Sequence, residues 1–161
     1  ISGTIGAALE GASFGIPSLA VSLEMDVSYH LSHSDEIDFS AATHFVNLFA
    51  KRMLGMSSRH ISEDVDVLKV DVPSNATSQT PWRITRQSRQ RYYAPVKRDD
   101  ASSDDHDKLD YQRDICFETL EPDSDVSVLV QERAVSVTPI SLDMTSRVSL
   151  EGYGNRLRGT N

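Results

Sequence analysis

With 161 residues, 39% of them hydrophobic, the chain has room for one domain with its own core and is short for two. A formal net charge of −8, from 24 acidic against 16 basic residues, disfavours a polymeric nucleic acid as partner, because backbone binding needs clustered Lys and Arg. The single cysteine, Cys116, excludes an internal disulfide and a Cys-rich zinc site, and no apolar run approaches the roughly 20 residues of a membrane span, so the expectation is a cytoplasmic protein with no membrane partner.

The chain opens at Ile1-Ser2-Gly3-Thr4 without an initiator Met, a basic n-region or an apolar h-region. That start reads as a piece of a longer sequence and not as a leader. From Gly3 to Phe14 the apolar positions Ile5, Ala8, Leu9 and Ala12 fall on one helix face. Gly6, Ala7 and Gly11 are small enough to let that helix lie close to a sheet. Gly15 and Pro17 end it, and Ser18 to Leu23 is a short apolar strand suited to a parallel sheet.

After a polar loop from Glu24 to Ile37, Asp38 is placed to cap a second helix. The expected apolar face of that helix is Phe39, Ala42, Val46, Phe49, Ala50 and Met53, with Gly55 at its end and His44 on its polar side. Asp66 to Val72 alternates polar and apolar residues up to Pro73, which predicts a strand with one solvated face, nearer the sheet edge.

From about Ser74 to Ser124 the character changes. Trp82 to Thr85 and Tyr92 to Val96 are β-prone, Lys97 to Lys108 is a charged loop, and Ile115-Cys116-Phe117 is the expected returning strand. This segment reads as a projecting hairpin inserted in the body. An arm of that kind buries little of its own apolar face, so a partner subunit is expected. Asp123-Ser124-Asp125 is a capping cluster ahead of a short helix with Val128 and Leu129, Val135 to Ile140 is a strand, and Thr145 to Gly159 predicts a loose terminal helix. Alternating helices and short apolar strands argue for an α/β fold, a mainly parallel sheet with helices on both faces plus the hairpin arm, in a single unit over 1–161 with 74–124 as the insertion.

Ser2-Gly3-Thr4 is the segment closest to chemistry. It stands just ahead of a helix, where backbone amides lack intrahelical partners and the dipole favours an anion. Gly3 permits close approach of a ligand, and Ser2 and Thr4 add hydroxyl donors. From these three residues alone an ordinary Ser/Thr cap is the simpler reading.

The surrounding sequence carries more. Ser2-Gly3-Thr4-Ile5-Gly6-Ala7-Ala8-Leu9-Glu10-Gly11 and Gly15-Ile16-Pro17-Ser18-Leu19-Ala20-Val21-Ser22-Leu23 resemble the Ser-Gly-Thr-Val-Gly-Ala-Ala-x-Glu-Gly and Gly-Ile-Pro-x-x-Ala-Val-Ser-Leu run of the SurE family of 5′/3′-nucleotidases. Leu68-Lys69-Val70-Asp71-Val72-Pro73 resembles the family's Leu-Asn-Val-Asn-Val-Pro strand. Ser124-Asp125-Val126, Val135 to Ile140 and Leu142-Asp143-Met144-Thr145 resemble its ending, in the same order. Ile1, Ile5, Lys69 and Asp71 depart from the pattern, the last two replacing amides.

The resemblance implies a Rossmann-like body with a swapped C-terminal arm, assembled as a homodimer or homotetramer. It implies a phosphatase of nucleoside monophosphates, in some members also of short polyphosphate, that uses one divalent metal ion, Mg²⁺ or Mn²⁺, per subunit. The family's metal ligands precede the Ser-Gly-Thr turn, so the resemblance implies neither a metal ligand nor a catalytic residue within this chain, which alone is expected to be inactive. Ser2, Gly3 and Thr4 match the turn that lines the family's phosphate pocket. A non-catalytic oligomerisation or phosphate-binding module is the alternative.

Three other groups read as structural. His30 and His33, with Asp35, Glu36 and Asp38 nearby, have a spacing that suits a helical metal site but sit in loop-like sequence. Cys116 reads as a small packing residue. Arg83, Arg86, Arg89 and Arg91 beside Trp82, Tyr92 and Tyr93 suggest base stacking, yet overall acidity favours Arg residues paired with acidic neighbours.

Overall fold

The first helix forms where its small and apolar residues predict. In the computed structural model, which describes residues 2–26, 29, 35–56, 64–97 and 109–160, α1 spans Gly3–Ser13 and is followed by β1, Ser18–Leu23. The expected face does the packing: Ile5, Ala8 and Leu9 surround a cluster of Ala12, Ala20 and Val67. Gly15 takes a left-handed φ of 74° at the turn between helix and strand, a conformation costly for residues with a Cβ. At Gly11 an added Cβ would stand 2.9 Å from Ser18 Oγ, so this glycine fixes how closely α1 approaches β1.

Helix α2 covers Ser40–Gly55. Its N-cap is Phe39, and the Asp38 carboxylate serves one residue further on by accepting the Ser40 N–H at 2.8 Å. The buried stripe is Ala41, Ala42, Phe45 and Phe49, rotated from the expected face. Phe45, at 1% exposed, is the centre, while Phe39 and Val46 remain exposed. The i, i+4, i+8 row of Ala41, Phe45 and Phe49 meets Val70, Val72, Val135 and Val137 of the sheet.

Strand β2, Val67–Val72, pairs parallel with β1, and β6, Val135–Ile140, pairs antiparallel with β2. The short β3, Trp82–Ile84, closes the sheet in parallel beside β6, giving the order β1-β2-β6-β3. Two of its three pairings are parallel. The α2 cluster covers one face, while α1 and α3, Asp125–Val130, lie on the other, so helices flank both faces as expected. Ser124 caps α3 by accepting the Ser127 N–H at 3.2 Å. On the α3 face the Thr85 hydroxyl bonds those of Ser136 (2.9 Å) and Thr138 (2.7 Å), which satisfies polar groups buried in the sheet.

Strand β2 therefore lies inside the sheet, not nearer its edge. Its alternation reports a different polar environment, because Lys69 and Asp71 face a cleft and each other instead of bulk water.

Strands β4, Tyr93–Lys97, and β5, Leu109–Arg113, form an antiparallel ribbon that, among the described residues, pairs with no other strand. The returning strand is thus β5, and Ile115-Cys116-Phe117 is turn and irregular chain, tied down by Gln90, whose amide exchanges hydrogen bonds with the Cys116 backbone at 3.1 Å. Cys116 is exposed and does not pack. Of the charged loop expected from Lys97 to Lys108, Lys97 is the last residue of β4, and the rest, 98–108, falls outside the described residues, as do His30 and His33.

Helix α4, Leu150–Arg158, is better closed than the loose terminal helix expected from the sequence. Ser149 accepts the Gly152 N–H at 3.1 Å, and Gly159 ends the helix in the left-handed region. It buries no residue; Leu157 is 74% exposed. Among the described residues no helix is long and apolar enough to cross a membrane.

Candidate functional site

A cleft of about 830 Å³ opens at the carboxyl ends of β1 and β2, the end of an α/β sheet where ligands usually bind. Helix α1 runs back along β1, so its N-terminus points into this cleft. Ser2, Gly3 and Thr4 all line it, together with Lys69, Asp71 and Asp125.

The three sequence-selected residues are exposed to that cavity. Ser2 is the N-cap, with extended backbone and no side-chain capping bond. The first intrahelical bond runs from the Gly6 N–H to the Ser2 carbonyl, 3.0 Å. The amides of Gly3, Thr4 and Ile5 precede that bond and have no helical acceptor. A Cβ built on Gly3 meets no atom within 4 Å, so open space lies beside this backbone. The helix end faces a cavity and not packed apolar side chains.

Opposite stands a charged cluster that pattern reading missed. The Lys69 ammonium is held by the Asp71 carboxylate and by Asp125 Oδ2 at 2.8 Å. Asp125 Oδ1 accepts the N–H groups of Ser88 and Val126, both at 2.8 Å. Burial acts to lower the pKa of Lys69, but Asp71 and Asp125 together outweigh it and hold the ammonium above its ordinary range. Burial also pushes the Asp71 carboxyl up; Lys69 offsets only part of this, and Asp125 adds to the rise. The available signal was an i, i+2 pair of opposite charges near the end of a strand whose other positions are apolar.

The rim is built around Glu24, just past β1, whose side chain is 4% exposed. Its carboxylate accepts from Arg113 (2.9 Å), Arg133 (2.8 Å) and the Ser74 N–H (3.1 Å), with the Tyr92 hydroxyl at 3.4 Å. Burial alone would raise the Glu24 pKa; the bonds from Arg133 and Ser74 and the two guanidinium charges lower it on balance. Burial pushes the Tyr92 hydroxyl up to about 12, against the pull of Arg113 and helped by Glu24. One carboxylate thus joins arm, body and cleft.

Of the arginine stretch, Arg83 pairs with Glu132, Arg86 with Asp123 at 2.7 Å and Arg91 with Asp114 at 3.0 Å, as acidity favours. Trp82 instead packs edge-on against Phe49, 5.5 Å between centroids, with the Arg52 guanidinium 5.2 Å from its ring. Among the described residues no group of three or more His, Cys, Asp or Glu side chains is placed to hold a metal ion.

The family model described as survival protein SurE matches residues 1–94. The chain is 41% identical to a protein named 5′-nucleotidase SurE from Thermococcus gammatolerans, over 99% of this chain and 58% of that protein. It is also 41% identical to the protein of that name from Thermococcus kodakarensis, over 94% of this chain and 56% of the relative. The crystal structure of the SurE protein from Aquifex aeolicus superposes with a TM-score of 0.66 at 25% identity, covering 98% of this chain and 58% of the other. The chain spans somewhat over half the length of these relatives.

Proposed function

The chain belongs to the SurE family, and from that premise we propose that the protein carrying it hydrolyses nucleoside monophosphates to nucleoside and phosphate. The observation that carries this reading is the α1 N-terminus, open on a cleft at the carboxyl ends of the parallel strands. The amides of Gly3, Thr4 and Ile5, which have no acceptor among the described residues, hold the non-bridging phosphoryl oxygens together with the hydroxyls of Ser2 and Thr4. Such donors stabilise the charge that develops during phosphoryl transfer, and the helix dipole adds about 0.3–1 kcal/mol, more when partly buried.

The proposal includes one divalent metal ion per subunit, Mg²⁺ or Mn²⁺, and assembly as a homodimer or homotetramer. When bound, such an ion supplies charge neutralisation and an activated water. Among the described residues no three His, Cys, Asp or Glu side chains are gathered for a metal ion, and the two carboxylates that line the cleft floor, Asp71 and Asp125, are engaged with Lys69. This reading takes the metal's ligands from sequence ahead of the Ser2-Gly3-Thr4 turn, as the family resemblance implies, and has this chain contribute the anion seat.

Assay of the intact protein against a panel of nucleoside monophosphates, with and without metal, tests the reading. Turnover that EDTA abolishes and Mn²⁺ restores is expected, and the 161-residue chain alone is expected to show none. In the intact protein Thr4→Val removes a hydroxyl donor and should raise KM several-fold; the loss of one such hydrogen bond is worth about 0.5–1.5 kcal/mol. Unchanged kinetics would place the phosphate elsewhere.

A further inference from the structure

The cleft floor contains something the anion seat does not account for. Two carboxylates, Asp71 and Asp125, line the same cavity as the helix N-terminus, an unfavourable setting for a phosphate dianion. Repulsion between like charges is strong where solvent is scarce. Asp125 is fixed by two backbone amides and is 5% exposed, so it has little freedom to turn away.

Lys69 lies between these carboxylates and bonds both. Its ammonium has three N–H donors, two of which these bonds use. The side chain is 18% exposed and lines the cleft. Two negative charges and one positive charge leave the cluster with one formal negative charge instead of two. Lys69 also stays protonated, because both neighbours favour its charged form.

We propose that Lys69 is the built-in counter-cation of this cleft, a specificity-determining residue that lets a phosphorylated ligand sit beside Asp71 and Asp125. It acts through the two carboxylates by lowering their repulsion of the ligand's anionic group. Lys69 thus governs discrimination between a phosphorylated ligand and its unphosphorylated counterpart, and has little bearing on recognition of sugar or base. The inference rests on the nucleotidase reading and names a residue of the same site.

Calorimetric binding to the intact protein, with inorganic phosphate and adenosine as separate probes, tests this. Lys69→Met should weaken phosphate binding about tenfold, equivalent to about 1.4 kcal/mol, and leave adenosine binding within about twofold. Lys69→Arg should retain phosphate affinity. Adding Asp71→Asn to Lys69→Met should recover most of the loss, because the charge needing compensation is gone. Lys69→Gln, which keeps a donor and drops the charge, is measured in parallel and gives the same comparison if the Met variant fails to fold. Equal weakening of both probes would indicate a structural role and overturn the proposal, as would unchanged phosphate binding or no recovery in the double variant. Absence of phosphate binding and turnover in the unmodified protein would overturn the nucleotidase reading and this inference together. Intact phosphate binding that ignores the charge at position 69 would overturn this inference alone.

Discussion

In the sheet body, Phe45, Val70, Val135 and Val137 are buried at the meeting of α2 with β2 and β6, whereas the described residues of the β4–β5 ribbon include none that is buried. The ribbon is attached through polar groups: Arg113 and Tyr92 reach Glu24, which Arg133 and Ser74 hold from the other side. Apolar burial is indifferent to pH over the ordinary range. A carboxylate joined to two guanidinium groups is not, and its partly exposed members are screened by salt. The two regions should therefore lose structure under different conditions.

The sharpest break of that contrast is Phe45→Ala. Truncating a fully buried aromatic ring costs about 3–5 kcal/mol, and denaturant unfolding should show the loss across the body. A change below about 1 kcal/mol would mean that the α2–sheet contact is not the main stabilising core. Glu24→Gln comes next. It removes the charge that both arginines share, at a cost of about 1–3 kcal/mol. Hydrogen exchange should quicken in 92–97 and 109–113 while the amides of β2 and β6 keep their protection. Equal loss in both regions would show that arm and body unfold as one unit.

The smallest effect is that of pH. Because the Glu24 pKa is lowered on folding, its contribution is present above about 4.5 and is lost as pH falls below that value through the folded pKa. Tyr92 has the opposite sign. Its pKa rises from 10.0 to about 12, so its contribution is complete below pH 10.0 and disappears as pH climbs through about 12. Ultraviolet titration of tyrosinate, followed alongside hydrogen exchange, should detect arm release at both extremes before the body unfolds. Simultaneous loss of the two regions would remove the distinction.

Where a residue's partner is local or apolar, the sequence was a good guide. Ile5, Ala8, Leu9 and Ala12 pack as their spacing predicts, and Ser18–Leu23 is the parallel strand expected. The Ser2-Gly3-Thr4 turn was found in sequence, and the structure places it on the cleft. Lys69 and Asp71 resemble a solvated strand face in the sequence, because alternation records polarity without saying what lies opposite. Their partner Asp125 is far away in sequence. The rotation of the α2 stripe onto Phe45 has a similar origin, since several apolar rows share that helix and only the sheet selects among them. The place of the returning strand is not legible in the sequence, because Leu109–Arg113 has little β character of its own and gains its order from pairing with β4.

The tight approach at Gly11 has a consequence at the other end of its helix. A methyl group there would press on Ser18 Oγ, whose own position is held by a hydrogen bond to the Ile16 carbonyl at 2.9 Å. Helix α1 then behaves as a lever with its fulcrum near Gly11 and its free tip at Gly3, about 12 Å away at 1.5 Å per residue. A small tilt at the pivot is carried to the tip, so the aim of the amides into the cleft depends on a hydrogen atom standing where a side chain would otherwise begin.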